Sequence, residues 1–88
     1  ALFHSHCEIQ GLHWINPVEL PLPFDCSAKI RYRQADQRCT ITTIDNGNAI
    51  VEFVQPQRAV TAGQALVFYD QQLCLGGGTI ERAFNLTP

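Results

Sequence analysis

Three basic side chains recur at every second position in the middle of the chain. They are Lys29, Arg31 and Arg33, half of the six Lys and Arg residues of the sequence. On a β-strand, alternate side chains share one face and stand about 6.5–7 Å apart, a spacing suited to following the phosphates of a nucleic acid. A solvated strand face whose cations pair with Asp36 or Glu52 would show the same pattern and contribute little. The residues alone leave these two interpretations as equal alternatives.

Potential metal ligands lie near the start of the chain, where His4, His6, Cys7 and His13 carry suitable donor atoms. His4 and His6 would share one strand face and Cys7 would point the other way, so a closed site would need ligands from elsewhere. The four cysteines contain no Cys-x-x-Cys pair, which argues against zinc-ribbon and dithiol-redox sites. We therefore predict no metal site, buried free thiols, and a reducing, cytoplasmic location.

Three consecutive glycines, Gly76, Gly77 and Gly78, could be taken for a phosphate-binding loop. A P-loop also needs a Lys-Ser/Thr pair and a following helix, and here a strand pattern follows instead. We interpret the glycines as a bend or bulge in a strand. The sequence contains no Ser-His-Asp order, paired carboxylates or nucleophile elbow, so we predict no catalytic residue in this chain.

Short strands must position these residues, and no amphipathic helix of useful length fits the sequence. Alternating or β-branched runs predict about six or seven strands, drawn from residues 3–10, 12–15, 26–34, 38–44, 49–54, 65–69, 73–75 and 79–84. Gly11 interrupts the first run and Pro56 is expected to end the run 49–54. Asn46-Gly47 is a strong hairpin signal, and residues 70–72 form a second polar reversal. We predict an all-β fold, a small closed antiparallel β-barrel, because closure removes exposed sheet edges.

A length of 88 residues is that of one small domain, which we place over residues 1–88. The net charge of −2 and the pI near 5.8 neither support nor exclude an RNA partner. No run of 18 apolar residues exists, so no membrane span is expected. The chain starts at Ala1 and contains no Met, so we expect a piece of a longer protein.

Several motifs, in order, resemble the C-terminal domain of the tRNA-specific 2-thiouridylase (MnmA/TrmU) family. They are Leu12-His13-Trp14, Arg31-Tyr32-Arg33-Gln34, Ala59-Val-Thr-Ala-Gly-Gln64, Val67-Phe-Tyr-Asp70 and Cys74-Leu-Gly-Gly-Gly78. The resemblance covers essentially the whole chain. It implies a barrel similar to the second domain of elongation factor Tu, behind an ATP-pyrophosphatase domain and a central domain.

The resemblance also implies a function for the parent protein. Such an enzyme uses ATP and Mg²⁺ to activate the wobble uridine, and a cysteine persulfide then delivers sulfur to make 2-thiouridine in tRNAs for Lys, Glu and Gln. This chain would hold no cofactor and no catalytic residue. Its partners would be tRNA, the upstream domains of the same chain and a sulfur-relay protein.

Within the family's pattern, Arg31, Tyr32 and Gln64 match residues that contact tRNA, and Lys29 and Arg33 would extend that surface. The chain departs from the family at Ala62, where Pro is usual, which frees φ in the turn and would loosen Gln64 by under about 1 kcal/mol. A barrel that docks on other domains without touching RNA is the alternative.

Overall fold

The computed structural model describes residues 3–15, 20–30 and 35–86 of the chain. These residues form six β-strands: β1 (Phe3–Trp14), β2 (Phe24–Lys29), β3 (Gln37–Asp45), β4 (Asn48–Arg58), β5 (Ala65–Asp70) and β6 (Leu73–Phe84). The strands close into a barrel in the order β1-β4-β3-β2-β5-β6, and every neighbouring pair is antiparallel. The predicted closed barrel is confirmed. Nowhere in the described ranges is there a helix with the length and apolar character needed to cross a membrane.

Two tight hairpins form where the turn residues predict them. Asn46 and Gly47 connect β3 to β4 and both have positive φ, 52° and 78°, as the two-residue turns that match strand twist require. Gln71, with φ of 57°, lies in the turn between β5 and β6, whose strands pair from Asp70 with Leu73 onward. Local turn chemistry therefore fixes the register at this end of the barrel.

Two strand boundaries were predicted wrongly because bulges carry the strands past a breaker. β4 does not end at Pro56 but runs on to Arg58. Pro56 lies where the β1–β4 register shifts between His4 and His6. A bulge leaves one residue outside the hydrogen-bonded ladder, so proline, which has no N–H, is tolerated there. In the same way β1 continues through Gly11, whose φ of 63° fits the register shift between Gln10 and His13 on the β6 side.

A third boundary differs at β2. The alternation of residues 26–34 predicted one long strand, whereas β2 ends at Lys29 and Ile30 lies in a bend. The basic stripe of Lys29, Arg31 and Arg33 was predicted from a continuous strand. Because β2 ends at Lys29, the regular spacing of the stripe does not extend beyond Lys29 within the described residues.

The core is filled by alternate side chains of all six strands. Phe68 is fully buried and its ring lies 5.9 Å from that of Trp14. The other buried apolar residues are Cys7, Ile9, Cys26, Ala28, Cys39, Ile41, Ala49, Val51, Phe53, Val60, Leu66 and Ile80. All four cysteines are free; three are buried, as predicted for small hydrophobes, and Cys74 is half-buried.

The glycine triplet lets β6 lie very close to both of its neighbours. A Cβ on Gly76 would stand 2.1 Å from the carbonyl oxygen of His13, and one on Gly77 would stand 2.2 Å from that of Leu66. The β5–β6 register also shifts between Phe68 and Tyr69. The predicted bend or bulge is confirmed, and it permits β6 to close the barrel between β1 and β5.

Candidate nucleic-acid interface

Antiparallel order places Lys29, the last residue of β2, and the Gln64 turn at the same end of the barrel. β2 and β4 finish at this end and β3 and β5 begin there, so the connection 59–64 lies on it. We call this end the lower rim. The opposite end, the upper rim, holds the end of β1, the start of β2 and the two hairpin turns.

Lys29 lies at the lower rim as the last residue of β2. Its Nζ is 3.5 Å from Asp36 Oδ1 and 5.9 Å from the centre of the Tyr69 ring. The ion pair with Asp36 is the one that the solvated-face interpretation named, whereas Glu52 instead lies 3.5 Å from His6 Nε2. A half-exposed pair of this kind is worth at most about 1 kcal/mol, so a phosphate could displace Asp36.

Arg31, Tyr32 and Arg33 lie outside the described residues, and their predicted contacts are not tested here. The residues on either side of them are described. Lys29 and Asp36, which flank this segment, are brought to 3.5 Å of each other by their ion pair.

Gln64 lies at the lower rim in a turn that holds it from several sides. Its side-chain Oε1 accepts a hydrogen bond from the Thr61 backbone N–H at 2.9 Å. Its backbone oxygen accepts one from Ile80, and Gly63 N–H donates to the Ile80 oxygen, both at 2.8 Å. The side-chain oxygen thus stabilises the turn, and Nε2 is the group that can donate to a ligand.

Lys29 and Gln64 lie close enough for one ligand to reach both. Lys29 pairs with Val67 across β2 and β5, and Gln64 stands three positions before Val67. Three residues along a strand span about 10 Å, and neighbouring strands lie about 4.8 Å apart. The two backbones are therefore roughly 11 Å apart on the same rim.

Arg58 is a lower-rim cation that the sequence analysis missed. It is the last residue of β4, it is exposed, and no carboxylate in the described ranges forms an ion pair with it. Arg58 is remote in sequence from the basic stripe, but the order of the strands in the barrel brings it to the same end as Lys29. Its place just before the Gln64 turn was the one available signal.

Three carboxylates lie at the opposite end of the barrel from Lys29 and Arg58. Asp25, Asp45 and Asp70 are exposed at the upper rim, at the start of β2 and the ends of β3 and β5. Although Asp36 offsets Lys29 at the lower rim, the net charge of −2 conceals a partial separation of charge along the barrel axis. Such a field favours the approach of a polyanion to the lower rim and disfavours the upper one.

The histidines predicted as potential ligands do not converge. In the β1–β4 register His6 lies opposite the exposed Glu52 and Cys7 lies opposite the buried Val51, so the two side chains face opposite ways, as predicted. His6 instead hydrogen-bonds through Nδ1 with Ser5 Oγ at 2.6 Å and stacks on Phe84. In the described part of the chain, no three His, Cys, Asp or Glu residues are grouped to hold a metal ion.

Residues 4–80 match the family described as the aminomethyltransferase beta-barrel domain. The chain belongs to this family. Among its relatives, a protein of Marinomonas sp. (strain MWYL1) is 48% identical over 85 residues, which are 97% of this chain and 22% of that protein. One from Pseudomonas putida (strain W619) is 52% identical over 99% of the chain and 23% of its own length. One from Nitrosococcus oceani is 58% identical over 83% of the chain and 20% of its own length.

All three relatives are named tRNA-specific 2-thiouridylase MnmA. The resemblance to the C-terminal domain of that family is therefore confirmed. The chain spans about a fifth of the length of the curated relatives it matches.

Proposed function

We propose that this barrel is the tRNA-binding accessory domain of a tRNA-uridine 2-sulfurtransferase. The proposal rests on the names of the relatives and on the convergence of donors and cations at the lower rim. The parent protein would make 2-thiouridine at the wobble position of tRNAs for Lys, Glu and Gln, in the cytoplasm. ATP with Mg²⁺, the catalytic cysteines and the contacts with a sulfur-relay protein would belong to the rest of the parent protein.

The observation that carries the proposal is the shared rim of Lys29, Arg58 and Gln64. Cations there neutralise phosphates, and an Arg guanidinium can do so with two parallel hydrogen bonds. Gln64 Nε2 donates to a sugar or base edge, and Tyr32 can stack on an unpaired base. With about three phosphate contacts to a partly single-stranded loop, this domain contributes a log–log salt slope of only about −2.

The test is tRNA binding by the full-length protein over a range of salt concentrations. We expect Arg31→Ala and Arg58→Ala each to weaken binding and to reduce the salt slope by about 0.7. Arg82→Ala is the matched control, because Arg82 is ion-paired with Glu8 at 2.8 Å on the outside of β6. If Arg31→Ala, Arg58→Ala and Gln64→Ala all bind tRNA like the control, the domain does not contact RNA.

A docking barrel without RNA contact is the second candidate, and one feature of the upper rim favours it. Ile15, Leu22 and Leu73 are 57%, 40% and 62% exposed next to the strand ends at that rim, and together they could provide an apolar contact. On this proposal Leu73→Asp would weaken the association of the barrel with the rest of the parent, seen as separate thermal transitions. The same variant leaves the salt slope for tRNA unchanged if the lower rim alone binds RNA.

A further inference from the structure

Two of the buried cysteines face each other across neighbouring strands. Cys26 of β2 and Cys39 of β3 are direct partners in the antiparallel register. Their sulfur atoms are 3.8 Å apart and both residues are 1% exposed. This pair could not be predicted from the sequence, because the two residues are separated by 13 positions and belong to no Cys-x-x-Cys motif.

The backbone at this pair already has the dimensions of a disulfide. Directly opposed residues of antiparallel strands have Cα atoms about 4.5 or 5.5 Å apart, and disulfides span Cα separations of about 4.4–6.8 Å. The sulfurs need only approach from 3.8 Å to a bond of about 2.05 Å, a movement that side-chain rotation can provide.

The two thiols also differ in acidity, which favours one of them as the nucleophile in disulfide formation. The hydrogen bond between them lowers the pKa of Cys26 and raises the pKa of Cys39, and burial opposes ionisation of both. Arg38 beside them acts in favour of a thiolate at either sulfur. Of the two sulfurs, Cys26 is the one whose ionisation the pair favours, and the thiolate is the nucleophile.

We propose that Cys26 and Cys39 form a redox pair that closes to a disulfide when a small hydroperoxide reaches it. The Cys26 thiolate attacks one peroxide oxygen, the O–O bond breaks, and Cys26 becomes a sulfenic acid while hydroxide leaves. The Cys39 sulfur then attacks that sulfenic sulfur, the S–O bond breaks, and water leaves. In total the two thiols lose two electrons and two hydrogens, and hydrogen peroxide is reduced to two waters.

Access to the pair depends on local opening of the barrel wall. The ladder between β2 and β5 consists of three residue pairs, Ser27 to Lys29, so β2 is tied to β5 over a short length. Segments with few ladder bonds open more readily than the core as a whole. We therefore expect oxidation to be slower than that of an exposed thiol and to exclude bulky oxidants.

The experiment maps disulfides in the full-length protein after exposure to hydrogen peroxide under native conditions. Remaining thiols are blocked with iodoacetamide, and the protein is digested with trypsin and Asp-N without reductant. Cleavage at Asp25, Lys29, Arg38 and Asp45 isolates residues 25–29 and 39–44, which separates Cys26 and Cys39 from the other cysteines of the chain. Cys74→Ala is the matched control, because Cys74 is the half-buried thiol.

We expect one linked peptide, joining residues 25–29 to 39–44 and lighter than its parts by two hydrogens. Dithiothreitol should abolish it, Cys39→Ala should replace it by an oxidised but unlinked Cys26, and Cys74→Ala should leave it unchanged. The proposal is overturned if both peptides emerge separately alkylated after the exposed thiols have been oxidised. It is equally overturned if Cys26 pairs with Cys7 instead, or if the wild type accumulates sulfinic acid at Cys26 without a link. The outcome is independent of whether the lower rim binds RNA.

Discussion

Substitution of Gly77 by Ala tests whether barrel closure depends on close approach of the strands. The φ of Gly77 lies outside the left-handed range, so Ala adds no backbone strain there. Its Cβ, however, would stand 2.2 Å from the Leu66 carbonyl oxygen, whereas ordinary contact begins at 3.4 Å. The strands β5 and β6 would therefore have to separate by 1.2 Å, the difference between those two distances.

The expected loss of stability follows from that separation. Overpacking of this kind costs about 1–3 kcal/mol, and a ladder hydrogen bond lost in a buried place costs about 1–3 kcal/mol more. We expect the free energy of unfolding to fall by about 2–6 kcal/mol. In urea, where the slope for a chain of this size is about 1 kcal/mol per molar, the midpoint should fall by about 2 M or more.

The assay is urea unfolding of the 88-residue chain, followed by far-UV circular dichroism and by the fluorescence of Trp14, the single tryptophan. Gly47→Ala is the matched control. Gly47 has a φ of 78° and nothing within 4 Å of a Cβ added there, so Ala at this position would add backbone strain of about 1 kcal/mol and no clash. If Gly77→Ala loses no more stability than Gly47→Ala, the close approach of β5 and β6 is wrong.

Three further outcomes are expected. Phe68→Ala should lower the free energy of unfolding by about 3–5 kcal/mol and shift Trp14 emission to the red, since their rings are 5.9 Å apart; an unshifted spectrum would contradict that packing. Burial raises the pKa of Cys7 from 9.0 to about 12, so the unfolded chain loses this proton first as pH rises. The loss of unfolding free energy between pH 8 and pH 10 should therefore be smaller by about 1.4 kcal/mol in Cys7→Ala than in the unaltered chain. Gln64→Glu keeps the acceptor for Thr61 N–H but removes the Nε2 donor, so tRNA binding should weaken while the urea midpoint changes little; equal tRNA affinity would exclude Nε2 as a contact.

Much of the fold could be predicted because the relevant signals are local. Asn46 and Gly47 tolerate positive φ wherever they occur, and the alternation of residues 65–69 places Leu66 and Phe68 on one face in any sheet. The errors at Pro56 and Gly11 have a different origin. Both residues lie at register shifts between strands, and a register belongs to two segments at once.

The candidate site shows the same division. Lys29 was recognised from spacing, and its ion pair with Asp36 was anticipated from their nearness in sequence. The missed Arg58 and the facing thiols of Cys26 and Cys39 depend on which strand lies beside which. No spacing in the sequence reports that arrangement.

The amino-acid sequence by itself determined the strand-forming runs, the turn positions and the family, because each depends on residue types over a few positions. The tertiary structure decided which ends of the strands share a rim, which side chains meet in the core, and how closely β6 approaches its neighbours. The physical reason is that antiparallel pairing and closure join residues far apart in sequence. Their register is set by the packing of the whole barrel.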